Sequence, residues 1–160
     1  MKTIYKAVTI DKALPKGVYK SWTAWRFQVV NEYISYRMNK PTSPPMNWGP
    51  LAGFSDLKSC VTFILGNTMA YSSESCMLSA ILRCTAEEVE GKELWYIYNN
   101  EICKAGRYNF SNIFEPLILP SNTVLCSKVT PEEVVWCGVA HKEPHKNLHN
   151  FYLQLLEDKQ

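Results

Sequence analysis

A chain of 160 residues with 46% apolar and 20% charged residues can bury a core without disulfide staples, and it is too apolar to stay disordered. No apolar run approaches the ~18 residues of a membrane helix, and the first residues, MKTIYKAVTIDK, lack the apolar segment of a signal peptide. The expectation is one domain over residues 1–160, cytoplasmic and without a membrane partner.

The net charge of +2 is unevenly placed. Residues 1 to 58 hold nine Lys or Arg and three Asp or Glu, so they carry +6, while residues 59 to 160 carry −4. That asymmetry points to an anionic ligand or acidic partner near the N-terminal third, or to two parts of the chain that attract each other within the fold. The six cysteines, Cys60, Cys76, Cys84, Cys103, Cys126 and Cys137, form no C-x-x-C pair and have apolar flanks. They read as buried free thiols in a reducing compartment.

Taken in order, Ile4 to Ile10 alternates as a first strand, and Leu14-Pro15-Lys16-Gly17 is a turn. Val18 to Met38 is rich in strand-favouring Tyr, Trp, Val and Phe and predicts one or two strands. Within it Ile34, Tyr36 and Met38 share one face, and Tyr33, Ser35 and Arg37 the other. NKPTSPPMNWGP is a loop. Leu51 to Phe54 is a short buried strand. Ser55 then caps a helix whose stripe is Leu57, Cys60, Val61, Ile64 and Leu65, ended by Gly66-Asn67.

Met77 to Cys84 predicts a central strand, and Thr85-Ala86-Glu87-Glu88 a capping box with one helical turn. Leu94 to Tyr98 and Ile102 to Lys104 flank Asn99-Asn100-Glu101 as a hairpin. Leu117-Ile118-Leu119 stops at Pro120, Ser121-Asn122 is a turn, and Val124, Cys126 and Lys128 alternate with Leu125, Ser127 and Val129 as a strand. Thr130-Pro131-Glu132-Glu133 reads as a helix start or sharp turn. Pro144 opens a last helix with the stripe Leu148, Phe151, Tyr152, Leu155 and Leu156. Few helices among adjacent strands predict an α+β fold: a mixed, largely antiparallel sheet with two main helices and short helical turns.

Three constellations bear on chemistry. Cys137, His141, His145 and His149 recur every four residues, and Cys and His are zinc ligands. Pro144 interrupts that row, so no metal site is expected. The glycines are scattered, which leaves no phosphate-cradling loop. The basic aromatic stretch is the most suggestive: Lys16, Tyr19, Lys20, Trp22, Trp25, Arg26, Tyr33, Tyr36, Arg37 and Lys40 mix cations with stacking surfaces, the pairing used by nucleotide and single-strand binders. Its bland alternative is a strand pair with an aromatic inner face and a lysine-decorated outer one.

The segment FEPLILPSNTVLCSKV resembles the late part of ADP-ribosyltransferase folds. Glu115, Leu117-Ile118-Leu119, Pro120, Thr123 and Val129 stand in the family's order, with Asn122 where glycine is usual and Glu115 one residue further from the strand. Tyr5-Lys6 resembles the first-strand motif, with Lys in place of Arg, and Tyr71-Ser72-Ser73-Glu74-Ser75 loosely resembles the central serine motif. The resemblance implies an enzyme using NAD, with Glu115 holding a ribose hydroxyl and stabilising charge as nicotinamide leaves, and Glu132 and Glu133 in reserve. The layout is also similar to small uncharacterised phage proteins. That likeness implies a setting of phage–host conflict, with the chain inhibiting a host defence system.

The expected function is a non-enzymatic binding protein with no cofactor. It would take an anionic nucleotide-like ligand or an acidic host protein through Lys20, Trp22, Trp25, Arg26, Tyr36 and Arg37, with nucleic acid a further candidate. The alternatives are the ADP-ribosyltransferase-like enzyme, with catalytic Glu115, and a structural or assembly protein whose aromatics form a homo-oligomer interface.

Overall fold

The computed structural model describes residues 1–21, 34–44, 50–68, 76–90, 94–98, 101–105 and 121–158. Their elements in order are β1 (Lys2–Thr9), β2 (Val18–Ser21), β3 (Ser35–Arg37), β4 (Leu51–Phe54), α1 (Leu57–Thr68), β5 (Ser79–Glu88), β6 (Leu94–Tyr98), β7 (Glu101–Ala105), β8 (Thr123–Cys137), a short 3-10 turn (Gly138–Ala140) and α2 (Pro144–Glu157). The class is α+β, as expected. A six-stranded sheet runs β3-β2-β1-β4-β8-β5, and every pairing among the described residues is antiparallel. β6 and β7 pair separately from that sheet, as the sequence suggests, with Glu101 in the strand opposite Tyr98 and not in the turn.

The sheet curls until it meets itself. β1 pairs along its whole length with β5, Lys2 opposite Ala86 through Thr9 opposite Ser79. On its other edge β1 meets β4 at Tyr5–Phe54 and β2 at Val8–Ser21 and Thr9–Lys20. β8 pairs with β5 on one side and with β4 on the other. Strand alternation then divides the apolar side chains into two sets. Ile4, Val8, Tyr36, Leu51, Leu82, Cys84, Val124, Cys126 and Val129 fill the inside of the curl. Ala7, Phe54, Ile81 and Trp136 face outward and are covered by Cys60, Val61 and Ile64 of α1 and Leu148 of α2.

β8 differs from its sequence reading. Thr130 to Glu133 neither opens a helix nor turns; it lies within one 15-residue strand. Register shifts against β5 skip Ser127, Glu132 and Val135. Each extra residue is a bulge, which bends the strand and tolerates the missing N–H of Pro131. The Ser127 bulge also explains the burial pattern. It moves Val129 onto the same inner face as Val124 and Cys126, which strict alternation would forbid. Thr85 to Glu88 likewise stays in β5 rather than forming a helical turn, because it pairs on both edges, Thr85 with Thr3 and with Thr130.

α1 is capped one residue later than expected. Asp56, not Ser55, receives the Ser59 N–H on Oδ1 at 2.8 Å and the Ser59 hydroxyl on Oδ2 at 2.9 Å. The helix also continues past Gly66 to Thr68. Phe63 meets Phe54 with ring centroids 5.2 Å apart, which seats α1 on β4. α2 starts at Pro144, a favoured first helical position. Its first turn is fastened by the Trp136 indole, which donates to Asn147 Oδ1 at 2.9 Å. Gly138 is needed where β8 ends, since a Cβ there would overlap the Cys76 carbonyl.

Candidate functional site

The strand pair that carries the basic aromatic residues begins in two turns. Asp11 accepts the Ala13 N–H at 2.9 Å, and Val18 N–H closes the next turn on Pro15 O at 3.1 Å. Gly17 sits at φ 82°, a conformation that costs glycine little. Opposite, Asn39 at φ 61° turns the chain after β3, with Lys40 N–H on Arg37 O at 3.1 Å. The turns abut, joined by Met38 N–H on Gly17 O at 3.0 Å. The second turn is also anchored to the bulged part of β8, where Asn39 N–H meets Pro131 O at 2.8 Å.

Register sorts the side chains. Tyr19 lies opposite Tyr36, Lys20 opposite Ser35 and Val18 opposite Arg37. Ile34, Tyr36 and Met38 do share one face, and it is the inner one. Tyr36 is only 1% exposed, so it offers no stacking surface to a ligand. Burial pushes its phenol well above the ordinary value. Lys20 and Arg37 keep to the outer face, but Lys20 forms an ion pair with Asp11. The Lys20 ammonium, and next the Ala13 N–H, hold the Asp11 carboxyl below its ordinary value. Lys12, Lys16, Arg37 and Lys40 are exposed around the two turns. Among the described residues none of these four has an ion-pair partner. Trp22, Trp25, Arg26 and Tyr33 lie outside the described residues, as does Glu115.

The other sequence candidates are dispersed. Glu133 pairs with Arg83 across β5–β8 at 3.1 Å, and Glu132 is exposed at a bulge. Among the described residues no three His, Cys, Asp or Glu side chains come together as a metal site. His141 instead stacks on Trp136, with centroids 5.8 Å apart and planes 16° apart. Of the two accounts of the charge asymmetry, attraction between the two parts of the chain is represented by Lys2–Glu88 at 3.3 Å, an exposed pair of small worth.

Sequence reasoning missed one residue. Lys6 was part of a motif resemblance, yet it sits between Ile4 and Val8 on the inner face and is 8% exposed. Its amine nitrogen donates to Ala52 O and lies 4.8 Å from the centroid of the Tyr36 ring. Burial lowers its pKa below the ordinary lysine value, against the opposing influence of Cys84, Cys126 and Cys60. Those thiols are pushed up by burial in turn, Cys84 to about 12 and Cys126 to about 11. The signal was present: a lysine in phase with Ile4 and Val8 on a strand is an inward lysine.

The outer arrangement is a charged rim that can attract anions but holds no described nucleophile with a base beside it. Against protein-family models, curated proteins and solved structures, the chain matches none.

Proposed function

We propose that this chain is a non-enzymatic binding protein whose partner is an acidic protein surface, docked on the rim of the two abutting turns. The observation that carries the reading is the set of four exposed cations, Lys12, Lys16, Arg37 and Lys40, without ion-pair partners among the described residues. Cations held on turns pinned by backbone hydrogen bonds attract an anionic partner and lose little freedom on docking. Tyr19 and Tyr36, which would stack a base, turn inward instead, and this favours charge complementarity with a protein over a nucleotide. A phage-borne inhibitor of a host factor would use such a surface.

The test compares the wild type with a charge-reversed Lys16→Glu/Arg37→Glu/Lys40→Glu variant for binding labelled oligoglutamate and labelled single-stranded oligonucleotide. Binding of oligoglutamate that weakens with salt and is lost in the variant supports the reading. Preference for the oligonucleotide moves the assignment to a nucleotide-like ligand, and equal binding by both proteins removes the rim.

A further inference from the structure

The curled sheet has one weak seam. β1 and β4 share a single registered pair, Tyr5 opposite Phe54. β1's other edges are fully laddered with β5 or taken by β2 from Val8 onward. Lys6 and Ala7 therefore lie at a fork, where β4 and β2 part from β1. β4 still runs close there, since a Cβ at Gly53 would stand 2.6 Å from Ile4 Cδ1. Into this fork the Lys6 side chain turns, and its amine donates to the Ala52 carbonyl of β4. It spans the seam where backbone pairing stops.

Among the described residues the groups around that amine are uncharged. Tyr36 presents its ring from β3, Cys84 comes from β5, Cys126 from β8 and Cys60 from α1. Tyr36 and the three thiols all have pKa values raised by burial, so none supplies an anion at neutral pH. Among the described residues no carboxylate forms an ion pair with Lys6. A buried ammonium without a counter-charge is costly, whereas a neutral amine can keep one hydrogen bond at little cost.

We propose that Lys6 is a proton-responsive clasp on the β1–β4 seam: neutral, it fills the fork and holds Ala52; protonated, it draws water into the fork and loosens β4 from β1. The direction follows from linkage. A lysine whose folded pKa lies below its unfolded value of 10.5 binds fewer protons folded than unfolded between those two values. The contribution of Lys6 to the seam is therefore complete above 10.5 and falls as pH drops through that window, then levels off below the folded value.

The experiment measures amide protection factors across β4 in the full chain between about pH 6 and about pH 10, for wild type and Lys6→Met. The wild-type opening constant should grow as pH falls, approaching about tenfold per unit at its steepest, while Lys6→Met stays flat. A flat wild type, or the same slope in Lys6→Met, overturns the clasp. Should Lys6→Met fail to fold, a Cε-detected titration of Lys6 in the wild type decides. A midpoint below 10.5 that coincides with the loss of β4 protection supports the clasp, and a midpoint at or above the ordinary lysine value overturns it.

Discussion

Tyr19 stands directly opposite Tyr36 in the β2–β3 pair, and both rings turn to the inside of the curled sheet. Alternation then obliges Lys20 and Arg37 to face outward. The same short pair thus contributes aromatic mass to the core and positive charge to the surface. This is why the stretch looked like a stacking platform in sequence and offers charge, not rings, among its described residues.

The Asp11 carboxylate is the acid set against this basic rim, and its pairing with Lys20 offsets part of the charge. Asp11→Asn keeps an oxygen for the Ala13 N–H and removes one negative charge. Oligoglutamate should bind this variant several-fold more tightly than wild type, with a steeper salt dependence. Unchanged affinity in a fluorescence titration would separate Asp11 from the binding surface.

The cap of α1 makes a prediction about stability alone. Removing the Asp56 carboxylate by Asp56→Ala leaves the Ser59 N–H unsatisfied and should cost about 1 kcal/mol. Ser55→Ala should change little. Denaturant midpoints for the two variants compare them directly, and the reverse order would restore Ser55 as the cap.

Much of the fold was legible because it is written in period and punctuation. The stripe from Leu57 to Leu65 and the Pro144 start of α2 appear where local pattern placed them, and so does the pairing of Leu94–Tyr98 with the strand that follows, except that Glu101, read as part of the turn, belongs to that strand. The errors share a cause. Thr85 to Glu88 and Thr130 to Glu133 each carry a local helix-start signal, yet they lie on the long β5–β8 ladder, which joins them at Thr85–Thr130 and runs on to Arg83–Glu133. Two long strands pairing along their length outweigh a capping box worth about a kilocalorie. The Ser127 bulge that places Val129 inside leaves no mark in a chain read two residues at a time. The burial of Tyr36, and with it the division of the candidate site, depended on the sheet closing, which is a long-range event.

Alkaline pH should destabilise the protein through its thiols. Unfolded cysteines ionise near the ordinary 9.0, whereas burial holds Cys84 at about 12 and Cys76 and Cys126 at about 11. Between these values the folded state keeps protons that the unfolded state loses. Their contribution is complete below pH 9 and is lost as pH rises through 11 to 12. Thiol alkylation followed by mass mapping should label the half-exposed Cys137 before Cys60, Cys84 and Cys126, which react only at the rate of unfolding. Fast labelling of Cys84 in the native protein would contradict their burial.

The central claim is that the two abutting turns form the docking surface. The most direct test is a binding isotherm of labelled oligoglutamate with wild type and with Lys16→Glu/Arg37→Glu/Lys40→Glu, both checked for an unchanged melting temperature. The account predicts salt-sensitive binding by the wild type and at least about a tenfold loss in the variant, or 1.4 kcal/mol. Equal affinity of the two proteins, or no binding by the wild type at low salt, would contradict it.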